Sequence, residues 1–229
     1  MKLLIIRPQP GADATAARVR NAGYEALLMP LFEIRALDWD VPDPAAYDAL
    51  LLTSGNAVRM AGPGLHILRA LPVHAVGAAT AGAAERVGLD IASQGSADAA
   101  AILQEALRAG HGRLLWLCGE DRSELPEIDG LTVDAVPVYA STALSAPQDF
   151  AAQVAGSDAV LLHSARAAHH FTVLCDAHGL ARANIRLAAF SQNIAAAAGE
   201  GWRSVLVSSA PSDAALLSLL TNAHRNGAL

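Results

Sequence analysis

Apolar residues along the chain fall into short runs separated by stretches with helical spacing, and this alternation repeats from end to end. KLLIIR (Lys2–Arg7) is apolar at consecutive positions, the pattern of a strand buried on both faces. DATAARVRNAGYEALLMPLFEI (Asp13–Ile34) predicts a helix that ends at Gly23 and then a second strand. A stretch rich in Pro and Asp, ALDWDVPDPAAYD (Ala36–Asp48), has the composition of a linker.

The alternation then restarts. Strands are expected at Ala49–Ser54, Val73–Gly77, Asp90–Ser93, Arg113–Gly119 and Thr132–Ala140. Helices are expected from Asn56, from Thr80 and over Ala97–Gly110, with a turn and short helix before Thr132. That is a complete five-stranded doubly wound unit. After a second polar joint, Ser141–Asp149, come strands at Asp158–Ser164, Arg186–Ser191 and Ser204–Ser209, interleaved with helices that end in Ser212–Arg225. Three strands do not complete a sheet of this kind, but with the two amino-terminal strands they make five. The expected fold is therefore α/β with two doubly wound lobes of parallel strands. Residues 1–36 and 142–229 form one lobe, 37–141 are inserted as the other, and two linkers join them.

The lobes read as an internal duplication. DALLLTSGNAV (Asp48–Val58) resembles DAVLLHSARAA (Asp158–Ala168), and AVGAATAGAAERVG (Ala75–Gly88) resembles AFSQNIAAAAGEG (Ala189–Gly201). Each pair puts a small or hydroxyl residue at the carboxyl end of a strand, where open α/β sheets bind ligands. Thr80, the only hydroxyl in its alanine-rich run, lies near such a strand–helix junction. Capping alone would account for it.

Composition narrows the function classes. The 229 residues are 53% hydrophobic, enough for a substantial core, and no apolar run reaches the roughly 20 residues of a membrane span. The amino-terminal apolar segment stops at Arg7–Pro8, too soon for a secretory core, so a cytoplasmic protein is expected. A net charge of −6 disfavours nucleic acid as a partner but leaves room for a small anion bound by a local cluster. All basic residues except Lys2 are arginine, suited to bidentate carboxylate binding. Cys118, Cys175 and the adjacent His169 and His170 have no metal-ligand spacing, so no metal site is expected. No glycine-rich nucleotide fingerprint follows a strand.

Taken in order, IIRP, GYEALLMPLFEI, DALLLTSGNAV, VGAATAGAAERVG, CGEDRSEL, VPVYAS, DAVLLHSARAA and APSDAALL resemble the uroporphyrinogen-III synthase family over essentially the whole chain. The resemblance implies two flavodoxin-like lobes linked by a pair of strands. It implies a lyase of tetrapyrrole and haem biosynthesis that closes the linear hydroxymethylbilane into uroporphyrinogen III, with loss of water and inversion of ring D. It implies no cofactor, a small-molecule partner only, and a monomer. Tyr139 in VPVYAS matches the family tyrosine proposed to protonate the departing hydroxyl, and Thr80 matches a threonine of the substrate cleft. Carboxylate donors are then expected from the backbone of Gly77, Ala78, Ala79 and Thr80. Side-chain donors are expected from Arg7, Ser54, Asn56, Arg122, Ser164, Arg166 and Ser191. The second lobe departs from the family pattern: where many relatives carry a second Gly and one or two threonines, this chain has FSQNIAA, with Ser191 and Asn193 as donors and Ile194, which cannot donate. That shifts weight onto the inserted lobe. The competing reading is a non-catalytic regulator of the same fold that binds a small anion or a tetrapyrrole.

Overall fold

A computed structural model describes residues 1–95 and 98–226. The chain divides into two compact units, Met1–Glu33 with Thr142–Leu229, and Ile34–Ser141.

The first unit is built on β1 (Lys2–Ile5), β2 (Glu25–Leu28), β9 (Ala159–Leu162), β10 (Arg186–Ala189) and β11 (Ser204–Val207). They form a five-stranded sheet in the order β11-β10-β9-β1-β2, and all its neighbours run parallel. In order of appearance within the unit this is 2-1-3-4-5, so the winding reverses between β1 and β9. Helices α1 (Gly11–Asn21) and α9 (Asp213–Arg225) cover one face through Ala12, Ala16, Val19, Leu216 and Leu220. Helices α6 (Phe150–Ala155), α7 (Ala165–Ala177) and α8 (Gln192–Ala197) cover the other, packing around Phe150 and Phe171. Burial on both faces explains why β1 and β9 read as unbroken apolar runs.

The second sheet has six strands in the order β3-β8-β7-β4-β5-β6. They are β3 (Phe32–Ala36), β4 (Ala49–Leu52), β5 (Val73–Val76), β6 (Ile91–Gly95), β7 (Arg113–Gly119) and β8 (Thr132–Ala143). Counted from β4 the order is 3-2-1-4-5, and the winding reverses between β4 and β7. Helices α2 (Gly55–Met60), α3 (Gly64–Ile67) and α4 (Ala78–Arg86) pack one face. Helix α5 (Ala99–Arg108) packs the other through Ile102, Leu103 and Ala106. Of the helix expected from Ala97, that first residue lies outside the described residues.

Three expectations need correcting. The single strand expected after Gly23 is two, because Pro30 interrupts it and Phe32–Ala36 pairs in the six-stranded sheet instead. The joint at Ser141 is not loop at its start, since β8 carries the chain as far as Ala143. The short helix expected between Gly119 and Thr132 is absent: residues 120–131 form bends and one turn. That segment carries Glu120, Asp121, Glu124, Glu127 and Asp129, and Pro126 and Gly130 break it, while Leu125, Ile128 and Leu131 pack against the α5 face from an irregular backbone.

Candidate active site

In the first unit, the loop after β1 lies at the winding reversal, and Arg7 there is half-buried. Its guanidinium lies across the start of α1, where a Cβ on Gly11 would come within 2.6 Å of Nε. Glycine therefore makes room for the arginine. Arg7 Nη1 donates to Thr15 Oγ1 at 3.3 Å, and Thr15 Oγ1 donates to Asp213 Oδ2 at 3.0 Å. Asp213, at the first turn of α9, is buried and also accepts from Arg18 Nη1 at 2.8 Å and from His163 Nε2 at 3.0 Å.

Burial alone would raise the Asp213 carboxyl. The bonds from His163 and Thr15 and the nearby Arg7 charge reverse that and hold it well below the usual carboxylate range. Burial pushes the His163 imidazole down and the Arg7 charge adds to this, while the bond to Asp213 opposes it. A neutral His163 donating Nε2–H to a charged Asp213 satisfies both. Burial also lowers Arg7, with Asp213 opposing, but an arginine remains a cation.

Three serines occupy helix starts at strand carboxyl ends. Ser164 accepts from Ala167 N at 3.2 Å, Ser191 from Ile194 N at 3.4 Å, and Ser54 in the second unit from Asn56 N at 3.2 Å. A cap hydroxyl accepts through oxygen and keeps its proton for a ligand. Arg166 lies over the Phe32 ring, 5.0 Å from its centroid, and Asn193 is exposed.

In the second unit Tyr139 stands in β8 opposite Gly119, the last residue of β7. Its ring crosses that glycine: a Cβ on Gly119 would lie 2.9 Å from Cζ and 3.0 Å from Oη. The ring packs on the face covered by α2 and α4. On this face Asn56 Oδ1 accepts from Arg59 Nη2 at 2.6 Å. Gly77 caps α4 with φ of 84°, a conformation glycine adopts without strain.

Thr80 is not the cap. It sits in the first turn of α4, only 5% exposed, and its amide donates to the Gly77 carbonyl at 3.1 Å. Gly77 N donates to the Gly95 carbonyl at 3.0 Å. Of the four backbone donors expected here, Ala78 and Ala79 are the exposed pair at a helix start, where amides have no partner within the helix.

Arg122 is not grouped with Tyr139. It is exposed and stacks 5.7 Å from the centroid of the Trp116 ring, which packs on the α5 face. A hollow of about 1000 Å³ lies below it, under the 120–131 crossover. Glu120, Glu124, Glu127 and Asp129 line that hollow, the wrong charge for a polycarboxylate. Among the described residues no group of three or more His, Cys, Asp or Glu could hold a metal ion.

Sequence reasoning missed Asp213, His163, Thr15 and Arg59. Asp213 and Thr15 are separated by 198 positions, and no local pattern connects them. Arg59 had a local signal, the Gly55–Asn56 pair one turn before it.

The comparisons with known proteins bear on the family and the fold. The model of the family described as Uroporphyrinogen-III synthase HemD matches residues 13–218. Among solved structures, uroporphyrinogen-III synthetase from Helicobacter pylori aligns with a TM-score of 0.64 at 16% identity, over 97% of this chain and 99% of that one. A mutant uroporphyrinogen III synthase from Thermus thermophilus aligns with a TM-score of 0.52 at 19% identity, over 98% of each chain. At these identities the likeness is one of fold. No curated protein matches the chain. The family match covers most of the sequence, and the chain belongs to the uroporphyrinogen-III synthase family.

Proposed function

We propose that the chain, as a cyclising lyase of haem biosynthesis, converts hydroxymethylbilane to uroporphyrinogen III, with Tyr139 as the acid for the leaving hydroxyl. Family membership supports the reaction, and the observation that carries the residue assignment is the phenol laid across bare Gly119 next to the winding reversal of its sheet. A phenol is ordinarily protonated at neutral pH and can donate to a departing oxygen. The C–O bond of the hydroxymethyl group breaks, the oxygen takes the phenol proton, and water leaves. The carbocation that remains bonds to the ring-D carbon that already carries the bridge to ring C. That bridge bond breaks, and the new cation on the bridge carbon closes on the free α-carbon of ring D, which inverts the ring. The proton released there restores the phenol.

Binding and folding of the bilane supply the rest of the barrier reduction, because correct positioning of reacting groups is worth several kcal/mol without any reactive side chain. The proposed donors for its carboxylates are Arg7, the amides of Ala78 and Ala79, and the hydroxyls of Ser54, Thr80, Ser164 and Ser191. The same proposal has the chain act as a monomer in the cytoplasm; among the described residues no helix is long and apolar enough to cross a membrane.

The test is the isomer formed. Freshly prepared hydroxymethylbilane closes without catalysis to the symmetric type I product. Type III product on adding the protein supports the reading, and type I alone refutes it.

A further inference from the structure

Two cations on the helices that follow β4 and β5 have no part in the site so far. In a helix, side chains lean toward the amino end, so a long residue in the second turn reaches back over the first. Arg59 does this on α2: its Nη1 lies 3.2 Å from where a Cβ on Gly55 would be, and Asn56 Oδ1 tethers its Nη2. The same Gly55 position lies 3.4 Å from Ala83 Cβ of α4, so the absence of a side chain brings the two helices and the guanidinium together. Arg86 folds back in the same way on α4, its Nη1 3.5 Å from the Cβ position of Gly82.

Both cations are thus laid back along their own helices, Arg59 over the first turn of α2 and Arg86, the last residue of α4, as far as its second turn. Among the described residues neither pairs with a carboxylate: Arg59 bonds to a neutral amide, and no ion pair includes Arg86. They are close enough to oppose one another. Burial lowers the Arg59 guanidinium, Arg86 lowers it further, and Tyr139 pulls it up. Two like charges on neighbouring helices that share a face with Tyr139, paired among the described residues with no anion, leave a gap in charge that a carboxylate fills.

We propose that Arg59 and Arg86 form a carboxylate subsite that seats an acidic side chain of the substrate beside Tyr139. This rests on the reading of the site given above. Arg59 is the fixed member, because its tether to Asn56 sets the orientation of the fork before substrate arrives. Arg86, with no such tether, closes on the same carboxylate.

The experiment measures kcat and KM for hydroxymethylbilane with R59Q, R86Q, the double variant, R59K and N56A, each checked for folding by circular dichroism. Each glutamine variant is expected to raise KM about tenfold, the size of a lost charge-assisted hydrogen bond, and the double variant to raise it further. R59K keeps the charge but loses the fork and falls between, and N56A raises KM by less than R59Q does. The wild-type KM rises with added salt more steeply than that of the double variant. A KM unchanged within twofold in the double variant overturns the subsite, as does a fall in kcat larger than the rise in KM, which would make the arginines partners of Tyr139 instead. Wild-type protein in the same assay reports separately on the proposed reaction through its type III product. Should the wild type give only type I product, quenching of tryptophan fluorescence by uroporphyrin III in wild type and double variant decides the subsite: equal affinity overturns it.

Discussion

Gly119→Ala tests the acid without removing it. The added Cβ would stand 2.9 Å from Tyr139 Cζ and 3.0 Å from Cε2 and Oη. Carbon atoms rest at about 3.5–4.0 Å, so the ring must retreat by roughly 0.5–1 Å. Gly119 lies in a strand and is not among the residues with positive φ, so alanine suits the backbone there. The perturbation therefore falls on the position of the phenol. A displacement of about 1 Å costs up to 10²-fold in rate, so kcat for type III product should drop between about tenfold and a hundredfold, equivalent to about 1.4–2.7 kcal/mol of barrier. Tyr139→Phe keeps the ring and deletes the proton, and general acid assistance is worth about 10²–10⁴-fold. In the double variant the misplaced ring has no proton to misplace, so its kcat should match that of Tyr139→Phe alone. Stopped assays resolving the type I and type III isomers give the rates, and urea unfolding of all three variants shows whether stability has changed. A Gly119→Ala enzyme with wild-type kcat, or losses that multiply in the double variant, would refute Tyr139 as the acid and leave it as packing in β8.

Three more outcomes follow from the same geometry. Gly11→Ala places a Cβ 2.6 Å from Arg7 Nε and must push that side chain off the start of α1; KM for the bilane should rise about threefold to tenfold with no loss in melting temperature, since alanine favours a helix, and an unchanged KM would remove Arg7 from substrate binding. Thr80→Val deletes one buried hydroxyl among several donors and should lower kcat/KM by about fivefold, on the order of 1 kcal/mol; a loss beyond a hundredfold would make Thr80 part of the chemistry. His74, fully buried between Ser93 Oγ at 2.6 Å and His111 Nδ1 at 2.8 Å, is pushed down to about 4, first by burial and then by His111. The unfolded chain binds that proton near pH 6.5 and the folded one does not, so stability is lost as pH falls below 6.5: about 2 kcal/mol should go between pH 7 and 5. Urea titrations across that range should show the slope in wild type and a shallower one in His74→Gln; equal slopes would refute it.

The chain states its central strands openly because each is apolar on both faces. Lys2–Ile5, Ala49–Leu52 and Ala159–Leu162 have no polar side to confuse their period. Ser54, Ser164, Ser191 and Ser212 mark where four helices begin, since each side chain accepts from an amide in the first turn. Legibility ends where pairing is set by the backbone rather than by side chains. FEIRA in β3 has no distinctive period, and its neighbour β8 follows about a hundred residues later. For the site, helix starts were readable because cap chemistry is local. Asp213 was not: the APSD sequence shows an ordinary helix start, and only the folded chain brings Thr15, Arg18 and His163 onto one carboxylate. Arg122 shows the converse, a basic residue just after a strand whose side chain joins the other face.

Strand order explains the internal duplication more fully than sequence likeness does. Aligning the two sheets by their like segments puts β9 on β4 and β10 on β5, and β11 then falls on β6, β1 on β7 and β2 on β8. Read this way, 2-1-3-4-5 and 3-2-1-4-5 are one sheet entered at different strands, a circular permutation. The winding reversal then lies between equivalent strands in both, β9 and β1 in one unit, β4 and β7 in the other. Ser164 and Ser54 become equivalent caps, with φ of −151° and −150°. Gly77 and Ser191 are equivalent as well, which makes Thr80 of α4 the counterpart of Ile194 of α8. Thr80 is buried beside the strand ends, whereas Ile194 packs into the core around Phe171. An arginine serves each unit by a different route: Arg7 comes from the loop after β1 and lies over Gly11, and Arg59 comes from inside α2 and lies over Gly55. In both, the first residue of a helix lacks a side chain and a guanidinium takes its place. Since β1 corresponds to β7 and β4 to β9, the two arginines follow non-equivalent strands: each unit keeps the same device, a bare helix start under a guanidinium, but places it on opposite sides of the winding reversal.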